Sequence, residues 1–412
     1  MLSGNYPLVY FGYRISEGPA RVLWSMIFIA IIVTKLRLKI KIRPIFLIFY
    51  GAFVLLTVLQ NIYLDSFFLP EFLNLSFLFF ITYLIVFAIG LNGLLYIPRL
   101  MVGLVKWSFI FYIPSAILFI LGINWSGLIS NIGTQSNSAR IGTSRKPLHM
   151  IFHNFSGLFS DFSHASNSLL PRNSGLFWEP GAFAGIIVMT FILVIIYKRY
   201  FTLLELRIIN KWIFVGLLST FSTTALACIP LLIVIYYIRD KKVSAKFSIR
   251  FVFFVAMIAS ISIVAFSNIP VLKNKISTQI QSVENNERGS ETTRLGSFIM
   301  LSEIINDSPA LGAGFASNRQ AFSDKMFSLG YEFTDIGIGN GMFLMLAWCG
   351  IPFFVFMLCL MGYGFYSVDM SLGVTVGLIL IILLLLQGES WMRLPMIYSF
   401  CFLAVHRRIQ QS

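Results

Sequence analysis

The chain has 412 residues, of which 57% are hydrophobic and 12% are charged, and its mean hydropathy is +0.82. These values exclude an ordinary soluble protein and predict an all-α polytopic integral membrane protein, because helices satisfy their own backbone in lipid. The net charge of +14 does not indicate nucleic-acid binding, since the cations lie in short segments between apolar stretches and specify orientation in the membrane. The four cysteines lack CxxC spacing, so we expect neither a disulfide framework nor a cysteine metal site.

Apolar stretches long enough to cross about 30 Å of hydrocarbon recur along the chain and predict a helical bundle of about 10–12 spans. They lie at 21–34, 44–62, 70–91, 100–122, 177–197, 211–238, 250–268, 341–366, 371–388 and 395–405. The predicted organisation is N-terminal spans in 1–122, a polar loop in 123–176, central spans in 177–268, a second polar loop in 269–340, and C-terminal spans with a tail in 341–412.

Three cation-rich segments predict the topology. They are 35–43, 198–211 and 239–250, and the positive-inside rule makes all three cytoplasmic. The apolar segment 211–238 lies between two of them, so we expect a re-entrant-like short hairpin with arms of about 15–20 Å. Its turn falls near 219–225, where the Ser and Thr hydroxyls, that of Thr223 included, either line a polar cavity or bond to helix carbonyls.

With those three segments on the cytoplasmic side, the loops 123–176 and 269–340 are extracytoplasmic. We expect the functional site there. The second loop contains apolar residues at helical spacing between Leu295 and Ile305. Pro309 ends this pattern, which predicts an amphipathic helix near 292–307 that starts near Arg294.

The stretch RNSGLFWEPGAFAGII, residues 172–187, opens the span predicted at 177. Pro180 favours the first helical position, so Glu179 would cap the helix and meet the positive end of its dipole. A carboxylate at a semi-buried helix start could equally bind sugar hydroxyls or accept a proton. Small residues such as Gly181 would let another helix or a lipid-linked ligand come close, and Trp178 suits the membrane interface.

Arg172 and Arg294 each precede a membrane-contacting helix on the extracytoplasmic side, where the positive-inside rule gives no reason for a cation. The planar guanidinium suits phosphate oxygens, and a solvated or snorkelling arginine is the alternative. In PALGAGF, residues 309–315, the backbone N–H groups around Gly312 and Gly314 could bind an anion, although glycines in loops usually form turns.

No metal site or cofactor is expected from the sequence. His149 and His153 have the spacing of two ligands on one helix face, but the acid of an HExxH motif does not accompany them. The chain also lacks a Walker A sequence, so ATP hydrolysis is not indicated.

Four segments together resemble the O-antigen polymerase (Wzy-type) branch of the superfamily that also contains the O-antigen ligases. They are RNSGLFWEPGAFA with Arg172, Gly175, Glu179, Pro180 and Gly181; TFSTTA at 220–225; Arg294 with SPALGAGF; and GNGMFLMLAWCGIPFFVF at 339–356. The likeness covers most of the chain as a hydropathy pattern, but as motifs it rests on these four segments.

The resemblance implies metal-independent glycosyl transfer between undecaprenyl-diphosphate-linked oligosaccharides at the periplasmic face of the bacterial inner membrane. Arg172 and Arg294 would bind the donor diphosphate, and Glu179 would orient or deprotonate the acceptor hydroxyl. The implied substrate-binding residues are Gly175, Trp178, Gly181, Thr223, Gly312, Gly314 and Arg319. The implied partners are the lipid-linked oligosaccharides and the bilayer, with a chain-length regulator protein as a candidate, and no nucleic acid.

Two alternatives to a polymerase stay open at this point: an O-antigen ligase, and a flippase or exporter of lipid-linked oligosaccharides. O-antigen ligases typically carry a histidine before the span that here begins at 341, and YEFTDIGIGNG has none, which favours a polymerase. The identity of the general base is open as well, with Glu332 and Asp335 in that stretch. A flippase or exporter of lipid-linked oligosaccharides would carry basic residues in several spans, whereas here Lys106 is the main cation deep in an apolar stretch.

Overall fold

The structure is a computed structural model that describes residues 43–64, 69–121, 173, 175, 180–240, 294–314, 340–388 and 395–406. These residues are mostly helical and contain no strand. The helices are α1 (Pro44–Leu64), α2 (Leu69–Ile120), α3 (Pro180–Ile196), α4 (Leu203–Thr220), α5 (Thr223–Ile238), α6 (Arg294–Asp307), α7 (Gly341–Ser367), α8 (Leu372–Gly388) and α9 (Pro395–Ser399). Two 3₁₀ segments follow α3 and α9, at Lys198–Tyr200 and Phe400–His406.

Three helical segments in the described part of the chain are long and apolar enough to cross a membrane: Pro44–Leu64, Asn92–Pro114 and Gly341–Ser367. The described residues are therefore compatible with an all-α membrane protein. The total number of spans and the placement of the two polar loops stay predictions. The spans expected at 21–34 and 250–268 lie outside the described residues.

The chain divides into two compact units. Of the described residues, the first unit contains 92–121, 173, 175 and 180–240, and the second contains 43–64, 69–91, 294–314, 340–388 and 395–406. Helix α2 passes from the second unit into the first at residue 92. The sequence predicts two spans there, 70–91 and 100–122. In the structure α2 consists of two helical segments that meet at a break at Gly90, where φ is 59° and ψ is −171°, and the apolar part of the second segment is Asn92–Pro114. Glycine adopts a positive φ at little cost, so one residue interrupts the helix.

Helix α3 forms the core of the first unit, and most of its residues are buried. The small residues Ala182, Ala184 and Gly185 are among them, so they serve packing within this unit. The second segment of α2, residues 92–120, runs parallel to α4. Arg99 contacts Glu205, and Lys106 contacts Trp212, so the contact repeats after seven residues on both helices.

Helices α4 and α5 are joined by Phe221 and Ser222, and Phe221 has a left-handed φ of 45°. The predicted hairpin begins at 211, but α4 begins at Leu203. Its start is fixed by a capping box in which Thr202 and Glu205 each accept a hydrogen bond from the other's backbone N–H. The arms of 18 and 16 residues measure about 27 and 24 Å, longer than the sequence predicts.

A buried arginine closes the carboxyl end of α3. The Arg239 side chain is only 5% exposed and donates from Nε to the Ile195 carbonyl at 2.9 Å and from Nη2 to the Ile196 carbonyl at 2.8 Å. It also pairs with Asp240, which Lys198 reaches at 2.8 Å. A cation at a helix carboxyl terminus is favourable because it meets unpaired carbonyls and the negative end of the dipole.

The core of the second unit is aromatic. The rings of Phe49 and Phe79 meet edge to face at 4.9 Å, and Phe79 meets Tyr398 in the same way at 4.8 Å. Helix α7 approaches the 3₁₀ segment Phe400–His406 at Gly364, where a Cβ atom would collide with the Phe400 carbonyl oxygen. These contacts join α1, the first part of α2, α7 and the C-terminal helices within this unit.

Candidate functional site

The segment after Arg172 is anchored by one buried asparagine. The Asn173 side chain is fully buried, and its Nδ2 donates to the hydroxyls of Ser108 at 3.0 Å and Ser219 at 3.1 Å. Its backbone N–H donates to the Ser219 carbonyl at 2.9 Å. Because Ser108 belongs to α2 and Ser219 to α4, one amide joins two helices to the residue that follows Arg172.

Gly175 completes this anchor. Its N–H donates to Asn173 Oδ1 at 2.9 Å, and its φ of +58° closes the turn. A Cβ atom at position 175 would lie 2.9 Å from the Phe183 ring of α3, so the turn rests directly on that ring. The structure thus gives Gly175 a role in packing, and its role in substrate binding stays a prediction.

The Ser and Thr hydroxyls at the end of α4 bond to helix carbonyls, which is one of the two alternatives left open by the sequence. Ser219 Oγ donates to the Gly216 carbonyl, and Thr220 Oγ1 donates to the Leu217 carbonyl, both at 2.7 Å. Ser219 also accepts from Asn173, so its hydroxyl belongs to the anchor. The role of Thr223, the first residue of α5, in substrate binding stays a prediction.

The helix break in α7 lies at Gly350, where φ is 71° and ψ is 168°. Pro352 follows it and has no N–H to donate to the Trp348 carbonyl one turn earlier. That carbonyl instead accepts from the Gly314 N–H at 3.2 Å, and the Ala347 carbonyl accepts from the Ala313 N–H at 2.6 Å. The loop 308–314, which we call the glycine loop, therefore replaces the helical hydrogen bonds lost at the break.

The contact between the glycine loop and α7 is backbone against backbone. The Ile351 N–H donates back to the Pro309 carbonyl at 2.8 Å. A Cβ atom on Gly312 would lie 2.6 Å from the Gly350 nitrogen, and one on Gly350 would lie 2.9 Å from the Leu311 nitrogen. Such separations leave no room for a side chain, which explains the two glycines.

Gln60 of α1 holds the same junction from a third direction. It is 1% exposed, and its Nε2 donates to the Leu311 carbonyl at 2.6 Å and to the Trp348 carbonyl at 2.9 Å. One amide therefore joins α1, the glycine loop and α7. Sequence reasoning missed both Gln60 and Asn173, because their partners are remote in the chain. The amide of Gln60 within an apolar stretch was a signal for the first, and Asn173 lies in the polar stretch PRNSG, which gave none.

The hydrogen bonds of the glycine loop bear on the expected anion site. The N–H groups of Gly312, Ala313 and Gly314 donate to the carbonyls of Ser308, Ala347 and Trp348 respectively. An anion could bind these donors only by displacing protein carbonyls. The structure gives Gly312 and Gly314 a role in packing, and their participation in substrate binding stays a prediction.

Helix α6 packs on α7 and begins at Arg294. Leu301 and Ile304 are buried, and the Phe298 ring meets Phe343 of α7 at 4.6 Å. The glycine loop follows the end of α6 and is bonded to α7 as described above. The backbone position of Arg294 is thus set by a helix fixed along its face and at its end.

The side chains of the predicted catalytic residues are not among those that the structure describes. Arg172, Trp178, Glu179 and Arg319 lie outside the described residues, and so does the side chain of Arg294. Gly181 is the second residue of α3 and is partly buried. Contacts among the predicted catalytic residues therefore stay predictions.

In the described part of the chain, no group of three His, Cys, Asp or Glu residues could hold a metal ion. His149 and His153 lie outside that part. Comparison with protein-family models, with curated proteins and with solved structures gave no match. We therefore infer function from the residues of this chain.

Proposed function

We propose that this protein is a surface-polysaccharide polymerase of the O-antigen type in the bacterial inner membrane. It joins oligosaccharide repeat units carried on undecaprenyl diphosphate at the periplasmic face. Three helical segments apolar enough to span a membrane support the location, and the resemblance of four sequence segments supports the activity. The observation that carries the proposal is the Asn173 anchor.

An arginine that only marks topology or snorkels to the interface needs no fixed backbone. Here the residue next to Arg172 is fully buried and bonded to two helices. A fixed backbone reduces the conformational entropy lost when a side chain is ordered on a ligand, and it holds the charge where it is needed. The anchor therefore supports Arg172 as a positioned ligand for the donor diphosphate.

The proposed reaction needs no metal. The bond between the anomeric carbon of the donor glycan and its diphosphate oxygen breaks, and the acceptor hydroxyl oxygen bonds to that carbon. The hydroxyl proton passes to a base, and undecaprenyl diphosphate leaves with the bonding electron pair. Arg172 and Arg294 stabilise the charge that develops on the diphosphate, and Glu179 orients or deprotonates the acceptor.

The packing of α6 supports a similar role for Arg294. A solvated surface arginine does not need to stand on a fixed helix. Here the end of α6 is held by the glycine loop, which is bonded to α7 at its break and to Gln60 of α1. These contacts fix the helix that begins at Arg294. Each of the two arginines is thus joined to an anchored backbone within its own unit.

The test is a gel of surface polysaccharide from cells that lack the gene and carry plasmid-borne variants. Arg172→Ala and Arg294→Ala should abolish the long-chain ladder and leave a band with a single repeat unit. Arg172→Lys should restore it only in part, because lysine lacks the planar two-pronged donor. Arg207→Ala removes an exposed cation of α4 and is the matched control, which should restore the full ladder.

The other possible outcomes are compared only between variants that immunoblots show at equal amounts in the membrane. A full ladder from both alanine variants would contradict the roles of the arginines. Loss of every band with a repeat unit in cells lacking the gene would indicate ligation or export and contradict the polymerase. A full ladder from Glu179→Gln would exclude Glu179 as the base and leave a capping role.

A further inference from the structure

Two lysine side chains lie beside the Trp212 ring of α4 in the first unit. The Nζ atom of Lys106, on the second segment of α2, is 5.3 Å from the ring centroid, and that of Lys211 is 6.0 Å from it. Both lysines are exposed, and Trp212 is partly buried. A cation over an aromatic face is attracted by the ring quadrupole, so one ring holds charges from two helices.

This positive charge is not balanced by the described carboxylates. Among the residues that the structure describes, no acid pairs with Lys106 or Lys211, and Glu205 is bound to Arg99. We call Lys106, Lys211 and Trp212 the lysine–tryptophan surface.

Lys106 and Lys211 are the last charged residues of their two helices, which run parallel. Beyond Lys106, α2 carries no charged residue to its end, and beyond Lys211, α4 carries none. The Cα–Cβ bonds of a helix tilt toward its N-terminus, so both lysine stems lean toward the end that holds Arg99 and Glu205. A long apolar stem with its charge directed toward the polar end is the arrangement expected at the edge of the hydrocarbon.

Exposed apolar residues continue from each lysine into the uncharged part. Ile110, four residues after Lys106, is 64% exposed, and Val215, four residues after Lys211, is 36% exposed. Four residues make about one helical turn, so each lysine has an apolar neighbour above it on its own helix. The surface thus has cations at one position along the two helices and exposed apolar side chains one turn further along.

We infer that the lysine–tryptophan surface binds an anionic phospholipid, with the phosphate between the two ammonium groups and an acyl chain along Ile110 and Val215. Lysines near a membrane surface are attracted to anionic lipids, and basic pockets between helices bind anionic headgroups. This site differs from the Asn173 anchor, whose serines are buried. It does not depend on the polymerase proposal.

The experiment titrates phosphatidylglycerol into the purified full-length protein in neutral detergent and counts bound lipid by native mass spectrometry. The variant is Lys106→Gln with Lys211→Gln. We expect about fivefold weaker binding for each lysine removed, and no loss for Lys106→Arg with Lys211→Arg. The matched control, Lys241→Gln with Lys242→Gln, removes the same charge from the cation-rich segment after α5 and should bind as the wild type does.

Equal binding by the glutamine variant and the wild type would overturn the inference, and so would an equal loss in the control. Inorganic phosphate at the same concentration should not compete; if it does, the site takes free phosphate and not lipid. Phosphatidylcholine binding as tightly as phosphatidylglycerol would also overturn the inference. Wild-type binding should weaken with ionic strength, which tests the charges without any variant.

Discussion

Gly312 and Gly350 face each other so closely that a Cβ atom on Gly312 would lie 2.6 Å from the Gly350 nitrogen. Both have positive φ, at 69° and 71°. The helix break in α7 and the glycine loop are therefore a single structural feature, in which each part supplies the hydrogen bonds that the other lacks. Three substitutions follow from this and from the buried amides.

Gly350→Ala should destabilise the second unit severely. The added Cβ would meet the backbone of Ala310, which cannot move without breaking the loop contacts, and alanine at φ 71° adds backbone strain of about 1–3 kcal/mol. Thermal unfolding of the purified protein measures the effect. Gly51→Ala in α1 is the control, because no atom lies within 4 Å of its added Cβ. It should be neutral or stabilise by up to about 1 kcal/mol; equal behaviour of the two variants would contradict the close packing.

Gln60→Leu should cost about 1–3 kcal/mol, because it removes two buried hydrogen bonds and leaves the Leu311 carbonyl without this donor. If the junction positions α6, polysaccharide chain length should also fall at equal protein level. Thr57→Val, one turn earlier on α1, removes a buried hydroxyl that bonds to the Phe53 carbonyl of its own helix. That control should change the unfolding midpoint less and leave the ladder intact; a larger effect than that of Gln60→Leu would contradict the prediction.

Asn173→Asp should disrupt the Asn173 anchor, although the two side chains have nearly the same size. It replaces the donating NH₂ group, which serves Ser108 and Ser219, with an oxygen in a fully buried site, and burying an unpaired charge is unfavourable. We expect a shortened or absent ladder at a reduced protein level. Thr190→Val removes another fully buried polar group, a hydroxyl bonded to Ile186 of its own helix, and should leave the ladder unchanged. A normal ladder from Asn173→Asp would show that the anchor does not position Arg172.

Asp240 should make stability depend on pH in the acid range. Burial alone would raise the pKa of Asp240, but hydrogen bonds from Lys198 and Arg239 outweigh it and lower the pKa from the ordinary 3.8. A lowered folded-state pKa means that the contribution is present above pH 3.8 and is lost as the pH falls through the folded value. Because Asp240 is half exposed, we expect about 1 kcal/mol or less. Unfolding midpoints between pH 7 and 3 should fall less in Asp240→Asn than in the wild type; parallel curves would contradict this.

The described helices show which features could be predicted locally. Periodicity and Pro309 predict a helix that starts near Arg294, and α6 begins at that residue. The apolar stretches at 341–366 and 371–388 correspond closely to α7 and α8. Helix α4 begins at Leu203, eight residues before the apolar segment that starts at 211, because a capping box and not hydropathy fixes its start. The break that divides α2 lies at Gly90, near the end of the stretch predicted at 70–91.

The sequence by itself determined that the chain is very apolar and predicted its membrane-spanning helices, because composition and the length of apolar stretches depend on each residue and its near neighbours. It left open whether Gly312 and Gly314 form a turn or bind an anion. Only the tertiary structure showed that Asn173 meets Ser108 and that Gln60 meets Trp348. Such pairings join residues far apart in the chain, and a buried amide takes whichever partners the packed helices bring within about 3 Å.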